Sequence, residues 1–208
     1  GTSAVVPCGT TGESATLSVE EHSRVIDIAV HATNKRVPVI AGTGGNSTRE
    51  AIELTAYAKK AGADATLQVT PYYNKPTQEG LYQHFRSIAK AVPLPQVLYN
   101  VPGRTSVNML PETVARCAQI PNIVGIKDSS GNFANAMALM DAAPEDFRFI
   151  MGNDAMILPA PMQGASAAIA ATANVAPEIA VGIYENFLKG DIETAKTFQR
   201  RLTPLRHA

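Results

Sequence analysis

The sequence contains no tryptophan, only two cysteines, and no apolar run approaching the ~20 residues that a membrane span needs. Neither charge sign is in excess. Lys and Arg number 18 against 18 Asp and Glu, with no run of like charge. A nucleic-acid or membrane-surface partner calls for a basic patch, so neither is expected. Cys8 and Cys117 lie far apart and form no metal-ligand or redox spacing, which fits free thiols in a reducing, cytoplasmic setting. His22, His31, His84 and His207 show no metal-ligand spacing either, so no metal is expected and helix-face or terminal roles suffice for them. The richest apolar stretch, residues 164–175, is short and carries threonine and asparagine. No signal-peptide pattern opens the sequence. It starts Gly1-Thr2-Ser3 directly before the apolar Ala4-Val5-Val6, without methionine, and the expectation is a fragment of a longer chain.

What is present is a repeating grammar: a short Val/Ile/Leu/Ala run, a Gly/Ser/Thr/Asn loop, then an amphipathic stretch. The apolar runs predict strands at 4–6, 37–40, 65–69, 96–99, 123–127, 147–151 and 167–170. Ser18-Val19-Glu20-Glu21 and Ser47-Thr48-Arg49-Glu50 fit the capping box, in which the serine accepts from the third-residue N–H and the glutamate reaches back. Pro111 and Pro177 suit first helical positions, where proline leaves no N–H unpaired. Lys35, Gly62 and Gly190 fall near helix ends. No linker or composition break divides residues 1–208, which predicts one domain.

Strand alternating with helix implies parallel strands joined by right-handed crossovers, in a doubly wound open sheet or an eight-fold barrel. An open sheet usually carries a phosphate loop after its first strand. Here Gly9-Thr10-Thr11-Gly12-Glu13 is not G-x-G-x-x-G. Gly42-Thr43-Gly44-Gly45-Asn46 lacks the third glycine and an acidic residue placed for a ribose, and neither loop contains G-K-[ST]. A barrel instead places reactive residues at the carboxyl ends of several strands. Thr10 and Thr11 follow the first strand, Tyr72 and Tyr73 the third, and Tyr99 ends the fourth with Arg104 in the loop beyond. Lys127 ends the fifth, and Gly152 and Asn153 follow the sixth. The expected fold is α/β, a (β/α)8 TIM barrel lacking its first strand–helix unit and its C-terminal helices.

Lys127 terminates the apolar run Ile123-Val124-Gly125-Ile126. A free lysine has a pKa of ~10.4, so a neutral amine at pH 7 costs about 4.6 kcal/mol. Burial lowers that pKa by stripping water from the ammonium. Two outcomes are open: a lysine whose head reaches water, or a desolvated amine that forms a Schiff base with a carbonyl substrate. The other seven lysines have polar neighbours. An imine also needs protons moved, and Tyr99 coupled to a threonine hydroxyl and a second tyrosine can relay them; as a strand-end aromatic it can equally be ordinary packing. Thr10 and Thr11 suit turn or cap roles as well, and Tyr72 and Tyr73 loop packing. Arg104 is either a surface arginine or a bidentate carboxylate clamp. Ser14 has no G-x-S-x-G around it, which sets a hydrolase aside.

Gly9-Thr10-Thr11-Gly12-Glu13, Thr70-Pro71-Tyr72-Tyr73-Asn74, Tyr99-Asn100-Val101-Pro102-Gly103-Arg104-Thr105 and Gly125-Ile126-Lys127 resemble the dihydrodipicolinate synthase (4-hydroxy-tetrahydrodipicolinate synthase) family, one of the Schiff-base lyases that include N-acetylneuraminate lyase. The resemblance covers essentially the whole chain. It implies condensation of pyruvate with aspartate semialdehyde toward diaminopimelate and lysine, with no cofactor beyond a covalent pyruvate imine on Lys127. By position, Tyr99 would donate and accept the proton, and Thr10 and Thr11 would act in the relay and at the pyruvate carboxylate. Tyr73 would complete the relay in a neighbouring subunit's site, implying a homo-oligomer, commonly a dimer of dimers. Arg104 would hold the semialdehyde carboxylate, and Gly152 and Ile169 would shape the pyruvate pocket. Ser14, Ala15, His22, Asn46, Glu50 and Tyr72 fall on the family's lysine-inhibition site, with Val19 where lysine-sensitive members often carry a histidine. The alternatives are a related pyruvate-dependent sugar-acid aldolase and a catalytically silent truncated barrel acting only as an oligomer subunit.

Overall fold

A six-stranded, all-parallel sheet forms the frame, its strands hydrogen-bonded in the order in which the chain makes them. They are β1 (Ile40–Gly42), β2 (Ala65–Val69), β3 (Gln96–Asn100), β4 (Ile123–Asp128), β5 (Arg148–Met151) and β6 (Ala167–Ala168). The computed structural model describes residues 1–207, with side chains through Leu205; that of His207 lies outside the described residues. The expected first strand at 4–6 is a single bridge, Val5 to Val39. The second runs later than 37–40, because the N–H of Val39 is taken by the Asp64 carboxylate at 2.8 Å and the ladder with β2 begins at Ile40. The predicted strand at 167–170 reduces to two residues.

Helices α1 (Val19–Thr33), α2 (Thr48–Ala61), α3 (Gln78–Ala91), α4 (Pro102–Thr105), α5 (Pro111–Cys117), α6 (Phe133–Ala142), α7 (Pro177–Leu188), α8 (Ile192–Arg201) and α9 (Thr203–His207) fill the connections. The Ser18 capping box closes in both directions, whereas Ser47 accepts from the Glu50 N–H without a return bond. Pro111 and Pro177 open their helices as expected.

The sheet is covered on one face and filled on the other. Toward the helices, Leu98, Ile123, Ile126, Phe149 and Met151 pack with Leu81, Phe85, Val114 and Leu139. On the inner face Leu67, Val97, Tyr99, Val101 and Ile150 meet Val6, Val124 and Ile169. A cluster that draws on the N-terminal segment and on the chain just past β6 requires the sheet to curl around it. Among the described residues the six strands form a curled parallel half-barrel, which agrees with the expected α/β barrel class.

One irregularity decides which way the key lysine faces. Ile123 and Ile126 both face the helices although three residues apart, which strict alternation forbids. A bulge resolves it: Gln96 pairs with Ile123 but Val97 pairs with Gly125, leaving Val124 as an extra residue that points inward. Beyond the bulge Ile126 regains the helix face and Lys127 turns to the interior. Gly125 has no room for a side chain there, since a Cβ would lie 2.5 Å from the Arg148 carbonyl oxygen.

Candidate active site

Lys127 and Tyr99 are directly paired across β4 and β3, both on the inner face and only 9% and 6% exposed. The Lys127 Nζ lies over the Tyr99 ring, 4.2 Å from its centroid. Burial pushes the lysine pKa below its ordinary 10.5, partly opposed by Tyr99 and then by Asp154. Among the described residues the ion pairs join Arg116 to Glu79 and Lys196 to Glu193, and no carboxylate claims this amine. The arrangement is that of a buried nucleophile held against Tyr99 and, among the described residues, outside any ion pair. Both strands run one residue further than predicted, to Asn100 and Asp128.

Gly152 forms the floor beside the lysine stem. Its N–H donates to the Asp128 carbonyl at 2.8 Å, and its own carbonyl accepts from Ser129 Oγ at 3.1 Å. A Cβ there would meet Ser129 Oγ and would stand 2.9 Å from Lys127 Cε. Ile169 lies on the inner cluster, its N–H bonded to the Met151 carbonyl at 2.9 Å.

Thr10 and Thr11 are exposed in the turn after the N-terminal segment. Thr10 and Tyr99 line one cavity of about 20 Å³, together with Cys8, Ser14, Leu67 and Val69. That is room for about one water. Tyr73 is 90% exposed and has a left-handed backbone, φ 71°, unusual for an aromatic residue. Arg104 is exposed on α4. The loops carrying these two residues are tied together behind them, as Thr70 Oγ1 donates to Thr105 Oγ1 at 3.2 Å between fully enclosed side chains.

The six positions grouped by resemblance as an inhibitor site are less uniform. Ser14 lines the cavity just described, Ala15 and Glu50 are exposed, and Asn46 and Tyr72 are half-buried. His22 is buried, its Nε2–H donating to the Gly42 carbonyl at 2.7 Å.

A profile of the dihydrodipicolinate synthetase family matches residues 1–208. The chain belongs to that family. The 4-hydroxy-tetrahydrodipicolinate synthase of Geotalea daltonii is 52% identical over 208 residues, all of this chain and 72% of that protein. Among solved structures, the chloride-inhibited dihydrodipicolinate synthase of Acinetobacter baumannii, complexed with pyruvate, superposes with a TM-score of 0.96 at 51% identity, covering 100% of this chain and 71% of that one. The Aquifex aeolicus enzyme gives 0.96 at 43%, covering 99% and 70%.

In this dihydrodipicolinate synthetase family chain, a buried polar network passed unnoticed in the sequence. Asn100 Nδ2 donates to Asp128 Oδ1 at 2.8 Å and to Asn108 Oδ1 at 2.9 Å, directly behind the lysine and tyrosine. The one available signal was that each of the two follows a candidate catalytic residue in the chain.

Proposed function

We propose that the chain is a 4-hydroxy-tetrahydrodipicolinate synthase, a class I pyruvate-dependent lyase that condenses pyruvate with L-aspartate 4-semialdehyde in the diaminopimelate route to lysine. Family membership and the names of its relatives support this. The single observation that carries the chemistry is the desolvated Lys127 amine over the Tyr99 ring.

In this reading the neutral Lys127 Nζ attacks the ketone carbon of pyruvate, and loss of water leaves the imine. Tyr99, with Thr10 and Thr11, moves the protons, first to release water and then at the carbon next to the imine. Thr11, Gly152 and Ile169 bound the pyruvate, and Arg104 receives the semialdehyde carboxylate. No further cofactor is required. Tyr73 is 90% exposed, which supports its service in a neighbour's site; the same reading makes the enzyme homotetrameric and cytoplasmic. Lysine inhibition at Ser14, Ala15, His22, Asn46, Glu50 and Tyr72 would act through the cavity that Ser14 shares with Thr10 and Tyr99.

Borohydride reduction in the presence of pyruvate tests the reading. The expected result is a mass increase mapped to Lys127, and turnover with aspartate semialdehyde but not N-acetylneuraminate. No adduct on folded protein would overturn the enzyme, and turnover of the sugar acid would reassign the substrate.

A further inference from the structure

The residues that follow Tyr99 and Lys127 have no task in that chemistry, yet they are among the most enclosed polar groups in the molecule. Asn100 and Asp128 are 0% and 1% exposed and pair with each other one step beyond Tyr99 and Lys127. Successive strand residues face opposite ways, so this second pair lies on the helix side, behind the first.

Every strong donor and acceptor there is used. The Asn100 Oδ1 accepts from the Met109 N–H at 3.0 Å, while its Nδ2 donates to Asp128 and Asn108. The other Asp128 oxygen accepts from Ser130 Oγ at 2.6 Å and from the Ser130 N–H at 3.3 Å. Gln78 braces the far side: its Nε2 donates to the Asn108 carbonyl, and its Oε1 accepts from the Leu110 N–H and Thr113 Oγ1. No cation joins Asp128 among the described residues. An uncompensated buried carboxylate is a costly way to fill space, and an apolar pair of similar volume would do so more cheaply. What a donor facing an acceptor adds is register. Among the described residues this is the one side-chain hydrogen bond joining β3 to β4. It lies downstream of the bulge, where the backbone ladder alone has already slipped by one residue.

We propose that Asn100 and Asp128 are positioning residues, their amide–carboxylate bond locking β3 to β4 so that the Lys127 amine stays over Tyr99. The proposal rests on the reading of Lys127 as the imine-forming amine.

A charge swap tests it. N100D sets two carboxylates face to face, and D128N turns an amide toward the Ser130 N–H. The double variant restores one donor facing one acceptor, with the new carboxylate accepting from Met109 and the new amide oxygen accepting from Ser130. In protein shown to be folded by circular dichroism, each single variant is expected to trap pyruvate on Lys127 with borohydride about ten-fold more slowly, with little change in KM for the semialdehyde. The double variant should recover to within about three-fold of the unaltered chain. A lowered Tm with unchanged trapping rate in either folded single variant would overturn the proposal, as would a double variant no faster than N100D. Should N100D not fold, the milder D128N decides by its own trapping rate. Absence of trapping in the unaltered chain would instead overturn the enzymatic reading, so the two failures are distinguishable.

Discussion

The Lys127 amine stands 4.2 Å from the centre of the Tyr99 ring, and the two residues are direct partners across neighbouring strands. Direct pairing leaves little slack between nucleophile and proton donor. Changes to either side chain should therefore read out chemistry more than folding.

Removing the Tyr99 hydroxyl while keeping the ring separates the two parts of its role. Tyr99→Phe should retain the packing over which Nζ sits and keep Tm nearly unchanged. Steady-state turnover should fall by about 10²–10⁴-fold, the range for loss of a positioned acid–base group. Turnover within about two-fold of wild type would remove Tyr99 from the relay.

The depressed pKa of Lys127 has a signed consequence for stability. Between the folded-state pKa and 10.5 the unfolded chain binds the extra proton. The stability contribution is therefore complete above 10.5 and lost as pH falls through the folded value. At neutral pH the buried amine is a burden, and Lys127→Met should raise stability by roughly 1 kcal/mol while abolishing activity. The advantage of the methionine should shrink as pH approaches 10.5, measured by denaturant unfolding across that range.

Gly152 tests the floor of the pocket. A Cβ at this position would crowd Lys127 Cε and Ser129 Oγ. Gly152→Ala should fold but displace the amine, lowering the rate of imine trapping by on the order of 10²-fold. Trapping at the wild-type rate would show that the stem has room to move.

His84 reports on the helix layer instead of the site. Its Nδ1 is 2.8 Å from Thr48 Oγ1, and burial lowers its pKa from 6.5 to about 4. A depressed histidine contributes stability that is fully present above pH 6.5 and lost as pH falls through the folded value. Its share is about 3 kcal/mol. Urea unfolding at pH 7 and pH 4.5 should show most of that loss, and His84→Gln should lack it.

Tyr73 can be assigned to its own or a neighbour's site by mixing two inactive variants. A Tyr73→Phe protomer keeps Lys127, and a Lys127→Ala protomer keeps Tyr73. If the tyrosine works across the interface, refolding the two together should restore turnover that neither has alone. A mixture as inactive as its parts would confine Tyr73 to its own protomer.

Local chemistry was the legible part of this sequence. Ala65–Val69 matches its predicted bounds, being a β-branched and apolar run held between Gly62 and Thr70-Pro71, and the Ser18 box closes because all its partners lie within four residues. Lys127 and Tyr99 stood out because each ends an apolar run. Partners remote in sequence were not legible. The start of β1 depends on Asp64, 25 residues beyond Val39. The Asn100–Asp128 bond spans 28 residues. The exposure of Tyr73 is set by a left-handed backbone that no residue type advertises.

The extra residue at Val124 makes orientation a matter of counting. Were the same residues to pair without the bulge, strict alternation from Ile123 would send the amine among the helices and Ile126 into the mouth, whereas deleting Val124 would leave plain alternation with Lys127 still inward. A homologue of the same length that paired Val97 with the residue at Val124 would align on every signature letter yet be mute toward pyruvate. For chains of this kind, the pairing of Val97 with Gly125 is thus as informative about competence as the identity of the lysine itself.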